Sequence, residues 1–228
     1  MGFLINIKGK KENEIGVFLD TAVDYILDGK VIAFPTDSVY GLGGDPLNPK
    51  VVEKLYHLKF RDPSKGFLLL VADIEEAKKV ADFNNLANKL TEKYWPGQLT
   101  LILTKKKHNI IPDEVTASPE TIGLRIPENT IILGILKKLK ERGKFGGIIG
   151  TSANYAGEEP SISGQEVSKK IMHPIDFIIE AGKSKSKIPT TIVDCTSLKL
   201  KILRVGKIEE EQITEYLVSL DENIGGKE

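Results

Sequence analysis

The sequence predicts a single α/β domain built on a mixed β-sheet. Short apolar runs alternate with segments in which apolar residues recur at helical spacing. Two of the apolar runs break directly into loops rich in glycine and hydroxyl residues, at Phe34–Gly44 and at Gly146–Asn154. Open α/β sheets hold their ligands at such strand-end loops. The two loops therefore predict one shared pocket.

The first half of the chain is predicted to alternate helices with strands. Apolar residues at helical spacing predict a helix over 14–28 that Gly29 ends, and this helix leads into a buried strand at 31–34. Pro49 begins a second helix that runs to about residue 57. The next predicted elements are a strand at 67–71, helices near 74–80 and 84–94, and a strand at 99–103.

The second half ends in a group of short strands. Residues 105–120 are predicted to be a loop, and the predicted elements after it are a strand at 122–126, a helix from 131 that Gly143 closes, a strand before the loop at 150, and a helix at 164–171. Strands at 176–179, 189–194 and 199–203 are expected to be antiparallel because their connections are short. An acidic run at 209–211 begins the last helix. Residues 1–13 are expected to be an N-terminal extension, 14–220 the domain, and 221–228 a frayed tail.

Composition limits the possible functions. Apolar residues make up 40% of the 228 residues and charged residues 28%, which is typical of a globular protein with a real core. The net charge is zero, so a generally basic nucleic-acid binder is not indicated, although a local basic patch is compatible with it. No apolar run has the length of a membrane span, and no signal-peptide pattern is present. Cys195 is the single cysteine, which predicts an inert structural thiol and a reducing, cytoplasmic setting.

Arginine is rare in this chain. Only four of the 32 basic residues are arginines, at positions 61, 125, 142 and 204. A chain that otherwise uses lysine is expected to keep arginine where its planar, bidentate fork is needed. Three of the four lie in or beside the motifs described below, whereas Arg142 is expected to be a solvated helix end.

Several common chemistries are excluded by spacing. Gly182-Lys183-Ser184 resembles the end of a phosphate-binding P-loop, but the required first glycine is replaced by Phe177. No dinucleotide fingerprint or serine-hydrolase elbow is present, and the three histidines lack metal-ligand spacing. Hydroxyls, glycine turns and a few cations remain, and these are suited to binding phosphates and a carboxylate.

Short segments along the chain resemble the signatures of one family and come in that family's order. Residues 35–42, Pro-Thr-Asp-Ser-Val-Tyr-Gly-Leu, are similar to its P-T-[DE]-[TS]-V-Y-G-L signature. The other segments are Lys59-Phe60-Arg61, Trp95-Pro96-Gly97-Gln98-Leu99-Thr100, Gly123-Leu124-Arg125-Ile126-Pro127, Ser152-Ala153-Asn154 with Gly157, Thr190-Thr191-Ile192-Val193-Asp194 and Leu203-Arg204-Val205-Gly206. On these motifs, from about residue 14 to 208, the chain resembles the YrdC-like threonylcarbamoyl-AMP synthases in their single-domain form.

The resemblance implies a fold, a reaction and partners. The fold is an open, twisted mixed sheet with flanking helices and a concave, basic cavity. The reaction is nucleotidyl transfer, in which L-threonine, bicarbonate and ATP give threonylcarbamoyl-adenylate and pyrophosphate with Mg²⁺ present. Partner proteins would then move the threonylcarbamoyl group to tRNA, and tRNA or double-stranded RNA could itself bind. No membrane association is implied.

The resemblance also implies a role for individual residues. Lys59 and Arg61 would be electrostatic catalysts that stabilise charge as pyrophosphate leaves. Threonine would be bound by three residues: Ser38, Arg125 and Thr190. ATP would be bound by seven residues: Arg61, Lys65, Thr121, Ser152, Asn154, Ser161 and Arg204. No protein ligand to a metal and no side-chain general base is identified.

The sequence also departs from the family pattern near both expected pockets. Gly66-Phe67 follows Lys65 where proline and leucine are usual, and Leu70 stands where a polar residue such as histidine is frequent. Thr151 replaces the proline before Ser-Ala-Asn. Two alternatives therefore stay open: a module that binds structured RNA, and a carbamoyl or adenylyl transferase that uses another amine.

Overall fold

The computed structural model describes residues 2–225, apart from the side chains of residue 12 and of residues 221–225. Strands and helices alternate along most of the chain. In chain order the elements are β1 (Phe3–Asn6), α1 (Glu12–Leu27), β2 (Ile32–Phe34), β3 (Gly41–Gly43), α2 (Pro49–Lys59), β4 (Leu68–Val71), α3 (Ile74–Val80), β5 (Ala81–Asp82), α4 (Asn85–Tyr94), β6 (Leu99–Lys105), α5 (Asp113–Thr116), β7 (Thr121–Arg125), α6 (Thr130–Glu141), β8 (Gly147–Ser152), α7 (Gly164–Lys170), β9 (Phe177–Glu180), β10 (Thr191–Asp194), β11 (Lys201–Arg204) and α8 (Glu210–Gly225).

The strands form one open mixed sheet, which confirms the predicted fold class. Its order is β1-β9-β2-β3-β8-β4-β7-β6-β10-β11, and β5 pairs with β6. β9 runs parallel to β1 and β2, β4 runs parallel to β7, and β6 runs parallel to β10. The remaining neighbours are antiparallel.

Helices cover both faces of the sheet, so the central strands are apolar on both sides. Ile32 and Phe34 face one core layer with α1 and α6, whereas Ala33 between them faces the other layer with α2, α3 and α4. All three side chains are fully buried. Truncating a large aliphatic side chain to alanine in such a core lowers the free energy of unfolding by about 2–5 kcal/mol.

Several helix starts in this chain are fixed by side-chain caps. Asn48 accepts a hydrogen bond from the Lys50 amide, and Pro49 follows it at the first helical position of α2. Asn129 caps α6 by accepting from the amides of Ile131 and Ile132. These caps set where the loops beside the candidate site end.

The structure differs from the prediction at the chain's beginning and end. Residues 3–6 are not part of an extension, because they form the edge strand β1 paired with β9. The predicted tail is helical through Gly225, and residues 226–228 lie outside the described part. The predicted loop at 105–120 contains the short helix α5.

The last strands are also arranged differently from the prediction. β9 is parallel to its neighbours because the preceding helix α7 carries the chain back across the sheet. β10 joins β6 in parallel, and only the β10–β11 hairpin is antiparallel as expected. β3 was missed because its three residues include two glycines. A Cβ at Gly43 would lie 1.9 Å from the carbonyl oxygen of Ile149, so glycine is what lets this strand approach β8.

Two residues flagged in the sequence have structural roles. Cys195 is buried, and burial raises the pKa of its thiol to about 12, which agrees with an inert thiol. Arg142 caps the end of α6 and pairs with Asp20 and Asp24 on α1, so it joins two helices and is more than a solvated end. Across residues 2–225, no helix is both long and apolar enough to cross a membrane.

Candidate active site

Both glycine-rich loops open onto one cavity of about 430 Å³, a volume typical of small-molecule sites. Gly41 at the start of β3 pairs with Ser152 at the end of β8. The two loops therefore lie side by side, next to the adjoining ends of these two central strands. The wall contains Arg61, Arg125 and Arg204 and, among the described residues, no acidic side chain. The predicted shared pocket is therefore present, and it is basic.

Arg125 ends β7 and is held in the wall by three partners. Its Nε donates to the Gly97 carbonyl at 2.9 Å, its Nη1 to the Ser38 hydroxyl at 3.3 Å, and its Nη2 to the carboxylate of Asp37. The residue is only 4% exposed. Burial lowers the pKa of the guanidinium and the Asp37 carboxylate opposes that effect, so the group stays charged.

Thr190 also lines this pocket. Its hydroxyl is 3.0 Å from the Thr100 hydroxyl on β6, and it accepts from Nη2 of Arg204 at 3.1 Å. Arg204 also donates from Nε and Nη2 to the Thr190 carbonyl. Burial and then the nearby Arg125 lower the pKa of Arg204. Thr190 and Arg204 are thus one hydrogen-bonded unit.

Lys59 is a buried cation behind the second loop. It is the last residue of α2, and its Nζ donates to the carbonyls of Ser152 and Asn154 and, at 3.4 Å, to Oδ1 of Asn154. Burial and then the charge of Arg61 lower the pKa of Lys59 to about 7. Lys59, Ser152 and Asn154 therefore lie together.

Arg61 is held by its own loop. Its Nε donates to the Lys65 carbonyl at 2.5 Å and its Nη2 to the Gly66 carbonyl at 2.7 Å, and its guanidinium lies over the Phe67 ring at 5.1 Å. Burial lowers the pKa of Arg61. Phe60 takes the left-handed conformation, with φ of 47°, and so separates the direction of Lys59 from that of Arg61.

Five predicted site residues lie outside the wall formed by the described residues: Lys59, Lys65, Thr121, Asn154 and Ser161. Lys65 is an exposed side chain on the Arg61 loop. Thr121 donates to the Ser118 hydroxyl at 2.9 Å, whereas Thr116 takes a place in the wall. Ser161 is fully buried, and its carbonyl accepts from the Tyr40 amide, which ties its loop to the first signature. The binding and catalytic roles of all the predicted site residues stay predictions.

Sequence reasoning missed two parts of the site. Asp37 lies inside the first signature, and its signal was a lone acid among basic and hydroxyl residues. The second part is an apolar floor formed by Leu68, Leu70, Ile102 and Ile192. The sequence marked Leu70 only as a departure from the family pattern, and the other three residues had no signal, because strand residues on a cavity face have the same alternating pattern as core residues.

Comparison with known proteins identifies the family of this chain. The family model for Sua5, YciO and YrdC, described as telomere recombination, matches residues 24–206. The chain belongs to the Sua5/YciO/YrdC family. A Methanocaldococcus jannaschii relative, provisionally named a threonylcarbamoyl-AMP synthase, is 34% identical over 92% of this chain and 96% of its own length.

Solved structures show the same family fold. The crystal structure of Pyrococcus abyssi Sua5 complexed with L-threonine has a TM-score of 0.85 at 27% identity, over 94% of this chain and 61% of that chain. E. coli YciO has a TM-score of 0.78 at 25% identity, over 93% of this chain and 98% of that chain. This chain therefore spans about three fifths of the Pyrococcus protein and nearly all of YciO.

Proposed function

We propose that this Sua5/YciO/YrdC family member is a threonylcarbamoyl-AMP synthase that uses L-threonine, bicarbonate and ATP. The observation that carries the proposal is one basic cavity with two kinds of cation. Arg125 is a buried fork beside the Ser38 hydroxyl, and Arg61 in the same wall, with Lys59 buried near it, forms a second basic group. A carboxylate and a triphosphate need these two groups, respectively.

The amino-acid half of the site is built around Arg125. A guanidinium has five N–H donors, and Arg125 directs one to Gly97, one to Ser38 and one to Asp37. One donor on each terminal nitrogen is left, and the two can bind the threonine carboxylate in parallel. The hydroxyls of Ser38 and Thr190 lie in the same wall and supply further polar contacts to threonine.

The nucleotide half uses cations held by backbone carbonyls. Lys59 is fixed against the Ser152 and Asn154 carbonyls, and Arg61 against those of Lys65 and Gly66. We assign ATP binding to these residues with Lys65, Thr121, Ser161 and Arg204, by the family pattern. Lys59 and Arg61 stabilise the negative charge that develops as pyrophosphate leaves.

The reaction implies Mg²⁺, and in this site the ion would be bound by the ATP phosphates and water, without a set of protein ligands. No group of three or more metal-ligating side chains occurs within the described part of the chain. Mg²⁺ commonly binds substrate phosphates and waters with few protein ligands. Bound in this way, it would offset phosphate charge, and the protein's share is to hold the oxygens with Lys59 and Arg61.

The chemistry needs two bond-forming steps. The threonine nitrogen forms a bond to the bicarbonate carbon with loss of water, and a carbamate oxygen then attacks the α-phosphorus as pyrophosphate leaves. The product is an activated threonylcarbamoyl group. We propose that it serves tRNA modification in the cytoplasm, through transfer proteins and with possible contact to tRNA.

A second candidate is the same transfer with a different amine. It is favoured by the apolar floor, in which Leu70 is 3% exposed and packs against the face of Gly150. A Cβ at Gly150 would lie 2.5 Å from the Leu70 side chain, so the two positions are matched in size. An apolar floor would accept an amine with a larger apolar side chain.

The test is pyrophosphate release from the purified protein with ATP, bicarbonate and Mg²⁺. The proposed function requires release that depends on threonine and on bicarbonate. A panel of amino acids distinguishes the candidates, since greater release with another amine would replace threonine as the substrate. Absence of release with every amine would contradict both candidates.

A further inference from the structure

Asp37 is a carboxylate built into an otherwise basic site. It pairs with Nη2 of Arg125, and its side chain is 9% exposed. The wall formed by the described residues contains no acidic side chain, and Asp37 is the carboxylate that contacts Arg125, a residue of that wall. It is therefore the acid placed to act where a substrate binds Arg125.

One oxygen of this carboxylate has no partner. Oδ1 accepts from Arg125, but Oδ2 is buried without a hydrogen bond to any described residue. Leaving a buried acceptor unsatisfied is unfavourable, especially when it is charged. A ligand that brings a donor to Oδ2 would recover that free energy.

The loop keeps the carboxylate in place. Nε2 of Gln98 donates to the Asp37 carbonyl at 2.7 Å, and the Thr36 hydroxyl donates to the Val39 carbonyl while accepting from the Ser38 amide. These bonds fix the backbone on both sides of Asp37.

The chemistry of an α-amino acid matches this arrangement. Its ammonium nitrogen is two bonds from the carboxylate carbon. A substrate carboxylate bound to Arg125 therefore brings the ammonium close to the Asp37 carboxylate, which pairs with the same guanidinium. An ammonium has three donors and no acceptor, and the unpartnered Oδ2 is an acceptor with negative charge.

We propose that Asp37 recognises the ammonium of the amino-acid substrate and serves as the internal counter-ion of Arg125 in the free protein. The inference rests on the proposed amino-acid site. Asp37 makes the site specific for an amino acid over a plain carboxylic acid. A ligand without an ammonium must compete with Asp37 for Arg125, and it makes no favourable contact with the Asp37 carboxylate.

The experiment compares two ligands that differ only at this group. L-threonine and (R)-3-hydroxybutanoate have the same carboxylate and hydroxyl, and only threonine has the ammonium. Calorimetry with the wild-type protein is expected to show threonine binding at least about tenfold more tightly. In Asp37→Asn, threonine should weaken about 10- to 100-fold. Binding of (R)-3-hydroxybutanoate should be unchanged or tighter, because Arg125 has lost its competitor.

A matched control is available on the surface. Asp24 pairs with Arg142 far from the cavity, so Asp24→Asn makes the same chemical change and should leave both affinities as in the wild type. Gln98→Met keeps the carboxylate but removes the amide that holds its loop. This variant should lose part of the discrimination, and it provides a test if Asp37→Asn does not fold.

The possible contrary results are distinct. Equal wild-type affinity for the two ligands overturns the inference and leaves the proposed function standing. An Asp37→Asn variant that weakens both ligands equally would make Asp37 only a positioning residue for Arg125, which also overturns it. A wild-type protein that does not bind threonine contradicts the proposed threonine site and this inference together.

Discussion

The two halves of the cavity hold their arginines in different ways. Arg125 is bonded to groups 28, 87 and 88 residues away in sequence, so the fold as a whole fixes it. Arg61 is bonded to carbonyls only 4 and 5 residues away, on its own loop, and the neighbouring Lys65 is exposed. The position of Arg125 is therefore preorganised by the fold as a whole, whereas Arg61 can adjust with its own loop.

The largest effect on ligand affinity is expected at Arg125, whose guanidinium is fixed by distant parts of the chain. Arg125→Lys should reduce threonine affinity by about 100-fold or more, because a single ammonium cannot replace two parallel N–H donors or keep all three present partners. Calorimetry with threonine measures the loss, and binding of ATP should change little. Near-normal threonine affinity would show that Arg125 is not the carboxylate clamp.

A second test concerns Lys59, the buried lysine that is bonded to the second glycine-rich loop. Lys59→Met should lower the turnover number about 100-fold, because it removes charge from the reacting phosphates. Pyrophosphate release at saturating ATP and threonine measures the effect. Lys54→Met is the control, since Lys54 is also on α2 but pairs with Asp176 at 2.6 Å. A Lys59 variant with unchanged turnover would remove its catalytic role.

The same lysine should make stability depend on pH. Burial lowers the pKa of Lys59 to about 7 in the folded state from 10.5, so the unfolded chain holds the extra proton between these values. The free energy of unfolding should therefore rise with pH across this window, by at most about 1.4 kcal/mol per pH unit from this group. Urea unfolding at several pH values measures the slope. The Lys59→Met variant should lose this contribution, and an identical slope in both proteins would contradict the lowered pKa.

The smallest effect is expected on the adjustable loop. Lys65→Ala should raise the KM for ATP only a few-fold, because an exposed charge is screened by solvent. The difference from the wild type should shrink as salt is raised from low to moderate concentration. A large effect that salt does not alter would show that Lys65 becomes buried against the phosphates, which would sharpen the contrast between the two halves.

The sequence predicted the parts of this fold that depend on local chemistry. The apolar strands and the helices with clear caps or glycine ends were predicted within a few residues, for example α3 over Ile74–Val80. Strand order could not be predicted, because it depends on which surfaces pack together. Thus β1 was taken for an extension, since its four residues have no pattern that marks an edge strand.

The site was predictable as a set of motifs but only partly as a geometry. The loops that meet in the cavity were marked by glycines next to hydroxyls and cations. The partnership of Arg125 with Asp37 joins residues 88 positions apart, and nothing local in the sequence indicates it. The same holds for Lys59, whose partners lie 93 and 95 positions away.

The pairing of Gly41 with Ser152 has one more consequence. The Ala153 amide also donates to the Tyr40 carbonyl, so main-chain hydrogen bonds join the two signature loops directly. Occupancy of either half should then alter the affinity of the other, and thermodynamic linkage makes the factor identical in both directions.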